Sequence, residues 1–544
     1  MTFTKLSKKV ISRTSLIICI PIALSCFTHL WNPIGFPPIY IDEGHYLRRT
    51  LQVLDGLGPQ ESLSVYEFPF DHPYFGQLFL AGFLSAIGYP NSLNPSVETA
   101  EISVKMLYEI PRLIMGILAI IDTFLIFKIG ERQYGRRVGF ISSTLFAVMP
   151  VTWFLRMIVL ENIMLPFLLS SILLLTYMTK TNSTEEEVGA YKTKRRNLLL
   201  FLLSGVLFGL ASFTKESAVT FIPALGYLVF TRLNQASYSR LKNVAIWLVP
   251  VIIFSSIWPF YSVTTNQLGE WIEGVLYQAE REERGLGTPL LDLLQIDPLF
   301  AILSVIAMFF AIFKVIVLKD RELFLFFWSV PYFLFLFLLG GAVKYFHFII
   351  LVPVLSIEIA LFIIFVSRSI RWKKLTVMPF VILAVIASIG FISTVMMISS
   401  DLTSTYFDMY AFIIRTLPPS GDDSAEVVTM VGKHWARSFY WIPKYVFDQD
   451  IGFEVVDPIL FPKYTTKADK VLLLLDRSVL SEIRDKEKQE DYINQIRVLY
   501  DNSSLKERFR ENWTEPDSAA SSYPYTSIDS ILGSIGRLDI RTNY

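Results

Sequence analysis

The feature that most constrains this chain is a series of apolar runs, each about twenty residues long. An α-helix rises 1.5 Å per residue, so ~20 residues cross the ~30 Å hydrocarbon core of a bilayer. Only 18% of the 544 residues are charged, which is too few for the surface of a soluble protein of this length. We therefore predict a polytopic α-helical membrane protein with about eleven spans, at 14–31, 109–130, 138–156, 163–179, 197–213, 217–231, 243–262, 298–318, 323–340, 347–367 and 375–399.

The distribution of Lys and Arg orients these spans. The first run could also be a cleaved signal peptide, but no small-x-small cleavage site follows it, so we expect a retained helix. The basic clusters all lie on one side if the amino terminus is cytoplasmic, as the positive-inside rule requires. We expect a multi-pass protein of the cell membrane, with cytoplasmic clusters at 5–13, 132–137, 180–196, 232–242, 314–321 and 368–374.

The connections on the other side then face outward, and the first of them, 32–108, is long. It contains an apolar stretch at 72–89. If this stretch were a span, Arg136 and Arg137 would lie on the wrong side of the membrane. We therefore predict an interfacial or re-entrant helix there, packed against the bundle.

Composition also excludes several classes of function. Lys and Arg together number 49, as do Asp and Glu, so the chain has no excess of positive charge and nucleic acid is not an expected partner. The two cysteines, Cys19 and Cys26, lie in the first apolar run and provide neither a metal cluster nor a disulfide framework.

The sequence changes character near residue 400, which divides the chain into a transmembrane domain at 1–400 and a second domain at 401–544. Short apolar runs at 426–431, 470–475 and 496–500 are typical of strands, and helical segments lie between them. We predict a small α/β domain, extracytoplasmic because the number of spans is odd.

Two adjacent acids, Asp42 and Glu43, follow the first span. A helix that begins near Asp42 would use it as the cap and place Tyr46 and Arg49 on the same face. Glu43 would point about 100° away, so the two acids would have different roles. The alternative is a helix cap with solvated charge at a membrane surface.

Further charged residues lie at the predicted outer ends of the spans, where basic residues are otherwise scarce. His72, next to Asp71 and before a proline, could approach a phosphate or simply belong to a helix cap. The others could hold a buried phosphate together, or could each extend to the interface. They are Arg112, Arg156, Glu161, Lys215, Glu216, Lys344 and His347. For Asp122 and Glu358, which lie within spans, we favour a structural role.

In order and spacing, these elements resemble the GT-C superfamily of polyprenyl-phosphate-dependent glycosyltransferases, in particular the protein O-mannosyltransferase and aminoarabinose-lipid A transferase group. The resemblance covers roughly residues 10–365. Two positions depart from the family pattern, Glu161 for its usual Asp and Tyr74 for the second Pro of a His-Pro-Pro element, and they leave the donor sugar and the metal requirement open. The matching elements are DEGHY at 42–46, DHPYFGQL at 71–78, PRL at 111–113, QYGRR at 133–137, Arg156 with Glu161, Thr214-Lys215 and Lys344-Tyr345.

The resemblance implies a membrane glycosyltransferase with a polyprenyl-phosphate sugar donor and a protein, lipid or glycan acceptor. Asp42 would take the proton from the acceptor hydroxyl. Glu43 and Glu161 would position the sugar, and Glu43 could hold a divalent metal ion with His72. The residues expected to bind the phosphate, the sugar or the carrier are Tyr46, His72, Arg112, Arg156, Lys215, Lys344, Tyr345 and His347.

Two other functions remain as alternatives. A transporter or sensor would use the external domain to bind a ligand, but the repeated halves common in transporters are not seen. An oligosaccharyltransferase or polymerase would use a diphosphate-linked glycan, but the Trp-Trp-Asp tripeptide of oligosaccharyltransferases does not occur in the sequence.

Overall fold

The computed structural model of this chain describes residues 3–59, 70–178, 187–232, 237–279, 287–316, 323–339, 343–369, 377–401, 403–416, 427–431, 438–448, 452–456, 471–484, 491–510 and 537–542. Short 3₁₀ segments are found at Asn91–Leu93, Pro150–Arg156, Glu216–Phe221 and Tyr345–Leu351. The helices are α1 Phe3–Leu30, α2 Ile41–Leu54, α3 Phe75–Ala86, α4 Ala100–Tyr134, α5 Arg136–Val148, α6 Leu160–Thr176, α7 Glu187–Thr214, α8 Ile222–Arg232, α9 Ser237–Thr264, α10 Leu268–Ala279, α11 Gly287–Ile296, α12 Pro298–Ile316, α13 Phe324–Leu339, α14 Val352–Ser369, α15 Met378–Ile398, α16 Ser404–Thr416, α17 Ile442–Phe447, α18 Arg477–Arg484 and α19 Asp491–Asp501.

The apolar runs of the sequence form helices, as predicted. Among the described residues, 6 helices are long and apolar enough to cross a membrane, or up to 7 if α5 and Pro150–Arg156 form one bent span. The other predicted spans coincide with shorter apolar helices at Ile17–Leu30, Leu160–Thr176, Glu216–Thr231 and Phe324–Leu338. The chain is an integral, multi-pass membrane protein.

Helix α4 packs against α1, α5 and α6. It ends at Tyr134, within the QYGRR element, and α5 begins at Arg136, so that Gly135 alone lies between them. Gly135 has a φ of 96°, a conformation that residues with a side chain rarely adopt. The glycine therefore permits the tight turn between these two helices.

The described part of the long connection at 32–108, which is predicted to face outward, contains α2 and α3, and these two helices pack against each other. Helix α3 has 12 residues, so it is ~18 Å long and too short to cross the bilayer. Its Phe83 and the following Ile87 are about half exposed. This helix lies within the stretch 72–89, for which the sequence predicts an interfacial or re-entrant helix.

The C-terminal part of the chain contains a five-stranded sheet, which confirms the predicted α/β character. Among the described residues, the strands are β1 Val427–Val431, β2 Gly452–Val456, β3 Val471–Asp476, β4 Ser504–Arg510 and β5 Arg537–Thr542. Strand β1 falls within the predicted run 426–431, and β3 overlaps the predicted run 470–475 and ends one residue beyond it. The order is β2-β1-β3-β5-β4, with β1 parallel to β2 and β3, and β5 antiparallel to β3 and β4.

One predicted strand is wrong, because residues 496–500 belong to helix α19. Ile496 is buried, and Leu499 and Tyr500 pack beside it against apolar residues of β3. A spacing of three and four residues places these side chains on one face of a helix. The apolar run is too short to distinguish a helix from a strand. The predicted domain boundary at residue 400 stays a prediction.

Candidate active site

A single cavity collects polar residues from distant parts of the chain. Its volume is about 520 Å³, within the range of small-molecule sites. The residues come from α2, the segment before α3, the junction after α7, helices α9, α10 and α13, and the segment at 344–347. The lining residues are Tyr40, Ile41, Asp42, His45, Tyr46, Asp71, His72, Lys215, Glu216, Ser217, Trp258, Trp271, Val275, Gln278, Tyr332, Phe335, Leu336, Lys344, Phe346 and His347.

Asp42 lies in the first turn of α2 and lines this cavity. The helix begins at Ile41 and not at Asp42, because Tyr40 is extended and forms a capping box with Glu43. The predicted capping role of Asp42 is therefore wrong, and its carboxylate is left for the cavity. Burial raises the pKa of Asp42 above its ordinary value, although the charges of Lys215 and His45 oppose this.

Glu43 is fully buried outside the cavity and belongs to an ion pair. Arg112 donates from Nε and Nη2 to its two carboxylate oxygens, at 2.9 and 2.7 Å. The backbone N–H groups of Ile158 and Tyr40 donate to the same carboxylate, at 3.1 and 3.2 Å. Each carboxylate oxygen of Glu43 thus accepts two hydrogen bonds from protein groups. These contacts indicate a structural role for Glu43, in place of the predicted catalytic and metal-binding roles.

Arg112 and Arg156 also lie outside the cavity. The structure therefore does not place them where they were predicted to contact a substrate phosphate. Arg112 donates to the carbonyl oxygens of Pro33 and Pro37, at 2.9 and 3.0 Å. Arg156 donates to the carbonyl oxygen of Trp31, and its guanidinium lies 5.7 Å from the ring centre of Phe36. Both arginines are fully buried. They fix the segment that leads from α1 to α2.

Lys215, Glu161 and His347 form a cluster at the cavity wall. Lys215 lies at the break between α7 and the following 3₁₀ segment, and its Nζ is 2.5 Å from Oε1 of Glu161. The same oxygen is 3.9 Å from Nε2 of His347. Glu161 thus acts on the cavity through Lys215. Lys344 is exposed beside this cluster.

The tautomer of His347 follows from one hydrogen bond. The backbone N–H of Lys344 donates to Nδ1 of His347, at 2.9 Å. A backbone amide can only donate, so Nδ1 is unprotonated and a neutral His347 carries its proton on Nε2. In this arrangement Nε2 of His347 is the ring nitrogen that faces Glu161, at 3.9 Å. The predicted contact of His347 with a phosphate stays a prediction.

His72 and Asp71 occupy the next part of the wall. His72 Nδ1 lies 3.2 Å from Oε1 of Glu216. Asp71 accepts a hydrogen bond of 2.7 Å from Arg49 and lies 3.7 Å from His45. Burial alone would raise the pKa of Asp71, but the charges of Arg49, His72 and His45 outweigh it and lower this pKa to about 2.

The predicted metal pair of Glu43 and His72 does not fit the structure. Glu43 is occupied by Arg112 outside the cavity, whereas His72 lines the cavity beside Glu216. Within the described ranges, no group of three His, Cys, Asp or Glu side chains could hold a metal ion.

Apolar side chains also line the cavity. Trp258 and Trp271 meet edge to face, with ring centres 5.6 Å apart, and Val275, Phe335 and Leu336 lie on the same lining. These residues were not predicted, because an apolar residue on a helix carries no sign in the sequence that it faces a cavity. His45 was not predicted either, although its place one turn after Asp42 in the sequence indicates the same helix face.

The structure brings together at the cavity the predicted site residues of the elements at 42–46 and 71–78, together with Lys215, Lys344 and His347. The side chain of Tyr345 lies outside the described part of the structure. The residues at the cavity are Asp42, Tyr46, His72, Lys215, Lys344 and His347, with Glu161 bonded to Lys215.

Comparison with known proteins agrees with this architecture. Residues 108–261 match the sequence model of the dolichyl-phosphate-mannose-protein mannosyltransferase family. The structure is similar to ArnT from Cupriavidus metallidurans bound to undecaprenyl phosphate, with a TM-score of 0.56, 10% identity and 98% of each chain covered. It is also similar to the oligosaccharyltransferase of Archaeoglobus fulgidus, with a TM-score of 0.52, 10% identity, 86% of this chain and 69% of the other covered. No curated protein sequence matches the chain.

The predicted resemblance and fold class are thereby confirmed. At 10% identity the two structural likenesses establish the fold, which extends over nearly the whole chain in the first case. The residues within this fold must be interpreted from their own geometry.

Proposed function

We propose that this membrane protein of the GT-C fold is a glycosyltransferase that moves a monosaccharide from a polyprenyl-phosphate carrier to a hydroxyl acceptor. The acceptor is a protein, a lipid or a glycan at the extracytoplasmic face. The observation that carries the proposal is the cavity itself, which brings Asp42 and Lys215 together from distant parts of the chain. A carboxylate and a cation at one site are the groups that this transfer requires.

The lining suits a ligand with a polar head and an apolar tail. The lining combines acids, histidines and lysines with the apolar side chains of Trp258, Phe335 and Leu336. Undecaprenyl phosphate is the ligand in the Cupriavidus metallidurans structure, and the matching sequence family takes its name from dolichyl-phosphate mannose. Both are polyprenyl phosphates, which supports a donor of this class.

Asp42 is the proposed general base. As the acceptor oxygen attacks the anomeric carbon, its O–H proton passes to the Asp42 carboxylate and the bond from that carbon to the phosphate oxygen breaks. A pKa raised by burial makes this carboxylate a better proton acceptor than an exposed aspartate. Tyr46, one turn further along α2, is placed to contact the sugar or the carrier.

The phosphate that departs needs positive charge and directed donors. Lys215 and Lys344 supply the charge, and His347 supplies an Nε2–H. Glu161 lies 2.5 Å from the Lys215 ammonium and holds that group in place. Its carboxylate also offsets the positive charge that Lys215 presents to the cavity. We therefore assign part of the phosphate binding to Lys344, with His72 as a further contact.

The Asp42→Asn variant tests the proposal. Asparagine keeps the shape of the side chain but accepts no proton, so transfer from labelled polyprenyl-phosphate mannose or aminoarabinose should fall at least ~100-fold, as for loss of a general base. The amount of folded protein in the membrane should not change.

Asp55→Asn is the matched control, since Asp55 is exposed at the other end of α2 and does not line the cavity. It should keep wild-type transfer. Wild-type turnover by Asp42→Asn would remove Asp42 from the role, and no transfer by the wild-type protein with any polyprenyl-phosphate donor would refute the function.

A further inference from the structure

Residues 438–442, which follow β1 in the chain, are one of the segments through which the C-terminal domain packs against the bundle. Phe439 in this segment is fully buried. Its ring stacks on Tyr410 of α16, with ring centres 4.3 Å apart, and also contacts Tyr108 of α4 and Phe407 of α16. A cluster of aromatic side chains therefore anchors the segment to α16 and, through Tyr108, to α4 of the transmembrane domain.

The same segment touches the first turns of α2 at the level of the backbone. A Cβ atom added to Gly44 would lie 2.3 Å from Cα and 2.4 Å from the carbonyl oxygen of Ser438. The hydroxyl of Ser438 donates to the carbonyl oxygen of Tyr40, at 3.0 Å. The hydroxyl of Tyr108 donates to the carbonyl oxygen of Ser438. Only glycine allows this approach at position 44.

Alanine is a better helix former than glycine, so a glycine inside α2 weakens the helix by itself. The contact with Ser438 gives the reason for this glycine. Gly44 also lies in the same helical turn as Asp42, which precedes it by two residues.

The first turn of α2 is thus held from two directions. Arg112 of the bundle holds it through Glu43, and Ser438 holds it through Tyr40 and Gly44. Tyr40 and Asp42 line the cavity on the same turn. A small displacement of this turn would move the Asp42 carboxylate relative to a bound acceptor, and such misplacement lowers the rate of a reaction steeply.

We propose that the C-terminal domain positions the proposed base Asp42, with Ser438 and Gly44 as the positioning residues. This inference rests on the proposed function. The domain acts through α2 and contributes no group to the chemistry in this account. The carrier phosphate is bound by residues on other elements, Lys215, Lys344 and His347, so its affinity is independent of this contact.

Two variants test the inference. Gly44→Ala introduces a Cβ against the Ser438 backbone, and Ser438→Ala removes the hydrogen bond to Tyr40 without adding atoms. We expect kcat for transfer from a labelled polyprenyl-phosphate sugar to fall about 10-fold or more in the first and about 3-fold in the second. Equilibrium binding of undecaprenyl phosphate to the purified full-length protein should stay within twofold of wild type in both.

Matched controls separate positioning from a general loss of structure. Gly82→Ala makes the same change in α3, where no atom lies within 4 Å of the added Cβ. Ser400→Ala removes another buried hydroxyl that donates to a backbone carbonyl, that of Met397. Both controls should keep wild-type kcat.

Wild-type kcat in Gly44→Ala and Ser438→Ala would overturn the inference. If undecaprenyl phosphate binding fell as much as kcat in these two variants, the inference would also be overturned. That result would indicate that the contact only stabilises the fold. An active wild-type protein distinguishes these outcomes from failure of the proposed function, in which the wild type itself would transfer no sugar.

Discussion

Asp42 and Glu43 are neighbours in the chain, yet they occupy different environments. Asp42 lines the cavity, whereas Glu43 is buried against Arg112. The sequence predicts that the two acids point in different directions, because adjacent residues on a helix are 100° apart. It does not reveal which acid is used, because the partner of Glu43 lies in another helix and no local pattern encodes that pairing.

The pH dependence of transfer provides a test at the level of Asp42. The base must be ionised, and burial raises its pKa, so the acid limb of the pH–rate profile should lie above the ordinary aspartate value of ~4. The positive charge of Lys215 opposes that rise. The Lys215→Met variant removes the charge and leaves Glu161 uncompensated, so the limb should move to higher pH.

Lys444→Ala serves as the control for this measurement, because Lys444 is exposed on α17 and does not line the cavity. It should leave the acid limb where it is in the wild type. An acid limb of Lys215→Met at the same or a lower pH would contradict the assignment of Asp42 as the base.

At the scale of elements, the apolar runs are predicted well because the bilayer fixes both their length and their composition. The turn at Gly135 is also recognisable, since the QYGRR element contains the glycine that the backbone requires. The cavity is not recognisable in this way. Its walls come from many helices, and their relative positions depend on packing between residues that are distant in the sequence.

The turn between α4 and α5 can be tested by Gly135→Ala. Gly135 has φ 96° and ψ 164°, a region that costs a residue with a side chain of order 1–3 kcal/mol. We expect a lower midpoint of thermal unfolding in detergent and unchanged affinity for undecaprenyl phosphate.

Gly226→Ala in α8 is the matched control, because nothing lies within 4 Å of its added Cβ and its φ is not positive. Its unfolding midpoint should equal or exceed that of the wild type. If Gly135→Ala were as stable as Gly226→Ala, the turn would not require a glycine.

At the scale of the whole molecule, the account places the C-terminal domain outside the cell and the QYGRR turn inside. The two native cysteines, Cys19 and Cys26, both lie in α1, within the apolar stretch Ile17–Leu30. A cysteine introduced at exposed Asn502 should react with an impermeant maleimide in intact cells. One at exposed Arg137 should react only after the membrane is permeabilised. The reverse pattern would invert the proposed orientation.

The most direct test of the central claim is an experimental structure with undecaprenyl phosphate bound. The account predicts the phosphate in the cavity, within hydrogen-bond reach of Lys215, Lys344 or His347, with the Asp42 carboxylate facing the side where the sugar would be attached. A phosphate held elsewhere, with Asp42 and Lys215 both away from it, would contradict the account.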